Sequence, residues 1–519
     1  MSLTGDRTSF DRVFDALLVA AGFVLWAVNV LAVWPFTVDD AFITFRHARH
    51  FAEIGLSTFN VTGPPSEGAT SFLWTCMVAI AHLATNDVTV VAKSIGVVLM
   101  ALAFISAMRL ARRWAGPGNA HIGHRGGALA VLMLGTWPAI SVYAVSGMET
   151  SLGVLLALVF VERLVAAADD PSYRRWSVVA IVAFALGLAR PEQNLFVALA
   201  LAVVFAMHAS SRRPMATALA VWCVLPGIAY LAWRAHAYGV MMPLPFYLKF
   251  VAKTASWPGW GMVRSFVIEI LGPLSIPMAA GFFALGRRAF AVLPGAVAIL
   301  VFFGATKPMM DFSWRFLAPV AAIAFVAAGC GLATLGGVIA VRSPRAWRDV
   351  AIAGLAVAIA FQHAAARDLE IEHYNSYATG LRQAHIPLGR FLAKHAAPRD
   401  PRERLLVISD AGSTPYYSGW RTIDTFGLNE PRIAIDHDGG AGWILDERPD
   451  VVVVISRSPD SFRARLDFEE AIWREADARG YVHAKSIQFD TNYYLWIMTP
   501  PGGDLEAPLR AWSPKGNVS

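Results

Sequence analysis

Two adjacent carboxylates follow the first long apolar run of the chain, in Val38-Asp39-Asp40-Ala41-Phe42-Ile43. One acid near a helix start offsets the helix dipole. A second, immediately beside it, repels the first and raises one pKa. A raised carboxylate suits a general base that takes a proton from a hydroxyl. On their residue types alone, Asp39 and Asp40 read equally as a solvated helix end or as a candidate catalytic pair. His47 and His50 follow closely, and an Asp pair with a histidine could hold a divalent ion. The two histidines lack i, i+4 spacing, so the sequence predicts no certain cofactor, and a divalent cation bound by Asp39 and Asp40 stands as the weaker alternative.

The elements that must position these residues are membrane helices. The chain has 519 residues, 56% hydrophobic and only 16% charged. A soluble domain carries about 25% charged residues, so lipid must solvate much of this chain. Apolar runs recur near 14–36, 70–86, 90–111, 127–145, 150–168, 176–190, 192–209, 214–233, 265–285, 289–305, 316–341 and 349–365. Most approach the ~20 residues that cross a hydrocarbon core. From about residue 370 charges multiply and apolar runs shrink to strand length. Leu405–Ser409, Asp450–Ile455 and Tyr493–Met498 read as buried strands, with an amphipathic helix over Phe468–Arg479. The predicted fold is a polytopic α-helical membrane protein with a C-terminal soluble α/β domain. Its predicted domains are 1–368, with a first external loop at 37–70, and 369–519.

Basic residues gather in short loops: Arg109/Arg112/Arg113/Arg125, Arg174-Arg175, Arg212-Arg213, Arg287-Arg288 and Arg342/Arg345/Arg348. If these loops are cytoplasmic, the soluble tail lies outside and the N-terminus, with Arg7 and Arg12, lies inside. Opposite ends require an odd number of crossings, so the twelve runs stand for eleven or thirteen, and the fold is expected to have about eleven. The net charge of +6 follows this loop bias and does not suggest nucleic acid. Cys76, Cys223 and Cys330 each lie in an apolar run without CxxC spacing, which reads as helix packing and shows no disulfide or zinc framework. A transporter should show internal repeats and midplane polar residues; the acids here cluster instead at one predicted face.

Several motifs carry a resemblance. Asp39-Asp40 through Arg46 and His50 leads to Gly55-Leu56, Phe59-Asn60 and Ser66-Glu67-Gly68. Ser146-Gly147-Met148-Glu149-Thr150, Ala189-Arg190-Pro191-Glu192, Pro245-Phe246-Tyr247-Leu248-Lys249 and Lys307 through Asp311 to Arg315 follow. The tail adds Ser409-Asp410-Ala411-Gly412 and Ile423-Asp424 through Asn429. This pattern resembles the GT-C superfamily of membrane glycosyltransferases, and more narrowly the mycobacterial-type terminal β-(1→2)-arabinofuranosyltransferases. It departs at Ala69, usually an aromatic in that family, and at Pro245, usually Asn.

The resemblance implies a multi-pass protein of the bacterial inner membrane, with its active site and tail facing the extracytoplasmic side. It implies transfer of a sugar, arabinofuranose in the narrower reading, from a polyprenyl-phosphate donor to a glycan or protein acceptor. Mannose from a polyprenyl phosphate is the alternative on the same scaffold. The leaving phosphate needs cations, and Arg46, Arg190, Lys249 and Arg315 are the candidates. Glu67, Glu149, Glu192, Tyr247 and Asp311 are candidates for sugar or acceptor contact, since carboxylates accept well from hydroxyls. The competing reading of Arg190 with Glu192, and of Asp311 with Arg315, is an ion bridge closing a helix end. Tyr416-Tyr417 and Trp420 read equally as a carbohydrate-contacting loop or as core.

Overall fold

A computed structural model describes residues 9–85, 87–250, 259–306, 310–340, 354–362, 365 and 367–514. The side chains of 249–250 and 338–340 also lie outside the described residues. Seven helices are long and apolar enough to cross a membrane: Ser9–Val33, Val88–Ala115, Thr150–Asp169, Ala209–Tyr238, Trp260–Leu285, Arg287–Ala305 and Arg315–Gly337. An eighth is the pair Pro117–Thr136 and Pro138–Val145, bent by 71°. Pro138 explains that bend, because proline cannot donate to the preceding turn. Against about eleven expected crossings, seven or eight helices among the described residues meet this length and apolarity. Phe72–Ala84 and Gln193–Met207 are apolar but shorter than a full span.

The chain forms two compact units. The first comprises Met1–Trp34, Val90–Tyr230 and Thr254–Ile371; the second comprises Pro35–Thr89, Leu231–Lys253 and Glu372–Ser519. In the first unit, α1 (Ser9–Val33) packs on α5 (Ala120–Thr136). Helix Ala318–Ala340 lies buried between α5 and the helix Gly272–Leu285. Lipid tails are as apolar as leucine, so such helices associate by close packing of small residues. A Cβ on Gly135 would lie 2.1 Å from the Gly22 carbonyl oxygen, and one on Gly331 would lie 1.7 Å from that of Pro277. The polar residues of α1 are also matched within this unit. Asp15 accepts from Arg125 Nε, and Arg367 Nε donates to Asn29 Oδ1 at 2.6 Å. Outward, Leu31, Ile276 and Phe283 present apolar surface suited to lipid.

The second unit is built on a five-stranded sheet of order β2-β1-β3-β5-β4. β1 (Leu405–Ile408) runs parallel to β2 (Arg421–Asp424) and to β3 (Val451–Ser456). β5 (Tyr493–Thr499) is antiparallel to β3 and to β4 (Val482–Asp490). Every residue of β3 is buried, as expected of a central strand covered on both faces. One face packs Leu406, Val453, Leu388 and Trp420 together with Ile43 and Phe59. Two residues of the segment expected as the first external loop, Ile43 and Phe59, are thus part of the sheet's core. Helix α2 (Asp39–Ile54) carries Ile43 there, and it ends in Gly55 at φ 73°, a left-handed cap that glycine adopts without strain.

The small-residue contacts give a direct test. Gly331→Ala should lower the thermal midpoint of the detergent-solubilised chain, by about 1–3 kcal/mol of stability, because backbone rather than a mobile side chain occupies the Cβ position. An unchanged midpoint would mean these helices are not closely packed.

Candidate active site

Asp39 is the first residue of α2 and is only 7% exposed. A buried carboxylate must recover its lost hydration through hydrogen bonds. Asp39 does so on the loop after β1. Gly412 N donates to Oδ2 at 3.0 Å, and Ser413 donates to Oδ1 from both its backbone N (2.8 Å) and its Oγ (2.6 Å). The approach is so close that a Cβ on Gly412 would lie 2.2 Å from Asp39 Oδ2. The α2 backbone is tied as well: Asp39 N donates to the Tyr377 hydroxyl at 3.1 Å, satisfying an otherwise orphaned helix-end donor. Burial raises the Asp39 pKa, opposed by the nearby charge of His385 and by Ser413; the like charge that adds to the rise is Asp410. Desolvation, rather than repulsion from its neighbour, is thus the main cause. Asp40, one residue on, remains partly exposed and lies within electrostatic reach of the Tyr377 hydroxyl.

The same face of α2 continues the attachment. Arg46 is two turns beyond Asp39 and 2% exposed. Its Nε donates to Phe59 O at 2.6 Å, Nη1 to Pro415 O, and Nη2 to Trp420 O at 2.7 Å and Asn60 Oδ1 at 3.2 Å. Arg46 was expected on a donor phosphate; its donors are instead spent on backbone carbonyls and one amide. Burial, with the charge of Arg49, lowers its pKa to about 9. Phe42 meets Tyr416 and Tyr417 at 5.5 and 5.6 Å, so these tyrosines pack against α2. Asn60 exchanges two hydrogen bonds with the backbone of Thr422, at 2.8 and 3.0 Å.

The histidines beside the pair face elsewhere. His47 Nδ1 meets Ile43 O at 2.9 Å and its Nε2 accepts from Gly68 N at 3.2 Å; His50 Nδ1 meets Thr58 O at 2.8 Å. Burial lowers their pKa values to about 4 and about 3. Both are neutral near pH 7, and each has a ring nitrogen on a backbone carbonyl. Among the described residues no three His, Cys, Asp or Glu side chains form a group that could hold a metal ion. Asp39's oxygens are already committed, so the donor set around the acidic pair does not fit a divalent cation.

Glu67 was expected to contact sugar. It forms a buried ion pair with Arg234, each side chain 1% exposed, and Arg234 Nε also donates to Met241 O at 2.7 Å. Burial lifts Glu67 to about 7 against the opposing charge of Arg234. Tyr247 lies in the same unit, its hydroxyl 3.5 Å from Met242 N. The side chain of Lys249 lies outside the described residues, as do Lys253 and Lys307.

The remaining candidates gather in the first unit. Arg190 Nη1 donates to Glu149 at 2.5 Å and Nε to Glu192 at 2.6 Å. Two carboxylates thus claim the guanidinium expected on phosphate, and the ion-bridge reading describes Arg190 with Glu192. Arg315 is buried, with its guanidinium 5.0 Å from the Phe312 ring and 4.6 Å from that of Phe316. The loop before it holds Met310, Ser313 and Trp314 at φ of 52°, 48° and 56°. Such backbone persists only where surroundings enforce it. Trp314 Nε1 donates to Ser265 Oγ at 2.8 Å, and Tyr143 donates to Ser313 O. Burial pushes Asp311, in this loop, up to about 6 despite the charge of Arg315.

Sequence reasoning did not find the partners of Asp39. His385 Nε2 lies 3.0 Å from Asp410 Oδ2, which also accepts from the Tyr493 hydroxyl. Burial opposes the charged imidazole, yet Asp410 and Asp39 together raise its pKa. The tail motif Ser409–Gly412 was visible, but nothing local links it to a residue 373 positions earlier.

Comparison with known proteins places the fold. A family model described as Domain of unknown function (DUF8728) matches residues 372–498, the sheet region. No curated protein matches the chain in a sequence search. Among solved structures, ArnT from Cupriavidus metallidurans in the apo state is similar at TM-score 0.56 and 14% identity, covering 94% of this chain and 98% of that one. The same protein bound to undecaprenyl phosphate gives 0.54 and 14%, covering 93% and 97%. An Archaeoglobus fulgidus oligosaccharyltransferase tethered to an acceptor peptide gives 0.51 and 12%, covering 91% and 74%. The chain therefore shares the fold of these structures: a polytopic helical membrane protein with a C-terminal sheet domain.

Two measurements test this geometry. Arg46→Lys keeps the charge but cannot reach four diverging acceptors, and should cost roughly 2–4 kcal/mol in the thermal stability of the full chain. Glu469 offers a pH test. It is 1% exposed, accepts from Ser409 Oγ at 2.9 Å, and is lifted by burial to about 7. A carboxyl with a raised folded-state pKa holds its proton longer than in the unfolded chain. Its contribution therefore falls as pH rises from about 4.5 to about 7. Glu469→Gln should match the natural protein at pH 5 and melt higher at pH 8; equal melts at both would refute the raised pKa.

Proposed function

We propose that this protein is a membrane glycosyltransferase using a polyprenyl-phosphate-linked sugar. One observation carries the reading. The shared fold extends over 94% of the chain and 98% of a structure that is also known bound to undecaprenyl phosphate, and here an acidic pair begins the first helix after the first span. In this reading an acceptor hydroxyl attacks the anomeric carbon of the sugar. The carbon–oxygen bond to phosphate breaks, the polyprenyl phosphate leaves, and Asp40 takes the hydroxyl proton. Asp39 is a positioning residue, since its oxygens are committed to Gly412 and Ser413. Arg315 and Lys249 are the cations assigned to the leaving phosphate. Glu149, Glu192, Tyr247 and Asp311 are assigned to sugar or acceptor hydroxyls, with Glu149 and Glu192 oriented by Arg190.

The narrower reading is arabinofuranose transfer to an extracytoplasmic glycan or protein, and it is supported by the motifs around Glu67 and Asp410. The acceptor side has a parallel in the oligosaccharyltransferase held with an acceptor peptide. The site would then face the extracytoplasmic side of a bacterial inner membrane.

The test is transfer from labelled polyprenyl-phosphate sugars in membranes. Asp40→Asn should lower the rate by roughly a hundredfold to ten-thousandfold. Asp39→Asn should lower it less and leave the acidic limb of the pH profile in place, because that limb belongs to Asp40. Full activity of Asp40→Asn would end this assignment, and no transfer from any polyprenyl-phosphate sugar would end the functional reading.

A further inference from the structure

A second site lies in the first unit, far along the chain from the acidic pair. A cavity of about 420 Å³ is lined by Arg109, Arg112, Arg113, His124, Glu162 and Asp169, among others. It forms where the spanning helices α4 (Val88–Ala115) and α7 (Thr150–Asp169) end and the segment Pro117–Thr136 begins. Its two acids are already engaged. Glu162 faces Arg109 at 3.6 Å and Arg163 at 3.4 Å, and Asp169 faces Arg288 at 3.2 Å. The side chains of Arg112 and Arg113 are exposed and have no hydrogen-bond or ion-pair partner among the described residues.

The helix below the cavity has a matching pattern. Val98, Leu102 and Ile105 are exposed at 58%, 43% and 43%, and Arg109 and Arg112 are exposed above them. The positions 98, 102, 105, 109 and 112 follow i, i+4, i+7, i+11 and i+14, so they form one stripe along α4. Three apolar side chains within the span lead to guanidinium groups at its end. Arginine's planar fork suits phosphate oxygens, and basic pockets between membrane helices bind anionic headgroups. Loop charge that merely sets topology requires neither a cavity nor an apolar track beneath it.

We propose that this cavity binds the headgroup phosphate of an anionic phospholipid, with an acyl chain laid along Val98, Leu102 and Ile105. Arg112 and Arg113 are the phosphate ligands and Arg109 is held ready beside them by Glu162. The site does not depend on the glycosyltransferase reading.

The experiment is native mass spectrometry of the full chain in neutral detergent, with equal amounts of phosphatidylglycerol and phosphatidylcholine. The natural protein should retain phosphatidylglycerol preferentially, and Arg112→Gln/Arg113→Gln should lower that preference by about an order of magnitude. Arg174→Gln/Arg175→Gln, in the first turn of the helix Tyr173–Ala189 of the same unit, should leave it unchanged. Gel filtration of each variant checks that it remains folded; both altered pairs are at exposed positions. Equal retention of the two lipids, or equal loss in the two double variants, would overturn the site. Displacement of the lipid by inorganic phosphate would also overturn it, reassigning the cavity to free phosphate.

Discussion

The second unit depends on one carboxylate that has been taken out of water. Asp39 is repaid by two backbone amides and a hydroxyl from a loop 373 residues later. A buried carboxylate without such donors costs several kcal/mol, so α2 reaches its observed position only when the loop after β1 is also in place. Gly412 records the constraint from the other side, because no larger residue leaves room for Asp39. Gly68 does the same nearby, where a Cβ would lie 2.0 Å from Asn429 Oδ1. The segment after the first span and the C-terminal sheet thus form one hydrogen-bonded body.

The two units solve the problem of buried charge differently. In the second, Asp39 and Arg46 are both satisfied mainly by backbone dipoles, which are fixed by the fold and do not titrate. In the first, Arg190 and Arg125 are satisfied by carboxylates. Ion pairs and ligand sites look alike in a sequence, since both reward opposite charges near helix ends, and Arg190 is such a case. Arg46 has no acid near enough in sequence to suggest a structural task, and its carbonyl partners leave no trace in side-chain identity.

The elements themselves were largely legible. The strands expected at 405–409, 450–455 and 493–498 appear at Leu405–Ile408, Val451–Ser456 and Tyr493–Thr499, and the intervening helix at Asp467–Ala478. Burial on both faces leaves continuous apolar runs, which a sequence displays directly. β4 was not anticipated, because its burial is irregular and its residues are mixed, as befits an edge strand. The apolar runs locate helices throughout the described residues, but run length alone does not say which helices cross. Phe72–Ala84 is apolar and too short, and Pro138 bends another run by 71°. What no local pattern could reveal was the partner set of the acidic pair, because hydrogen bonds to distant backbone depend on the completed fold.

In the proposed reaction, that partner set gives a physical reason for two aspartates where one would serve as a base. Successive residues of an α-helix are rotated by about 100°, so neighbouring side chains at Asp39 and Asp40 point in different directions. Fixing Asp39 at both oxygens, and its own amide to Tyr377, fixes the first turn of α2 in rotation as well as in place. Asp40 is then aimed by the anchoring of its neighbour. A carboxylate that must exchange a proton needs its position held to a fraction of an ångström. Dividing anchoring and proton transfer between adjacent residues meets that demand, and it places the anchor as close to the working group as the chain allows.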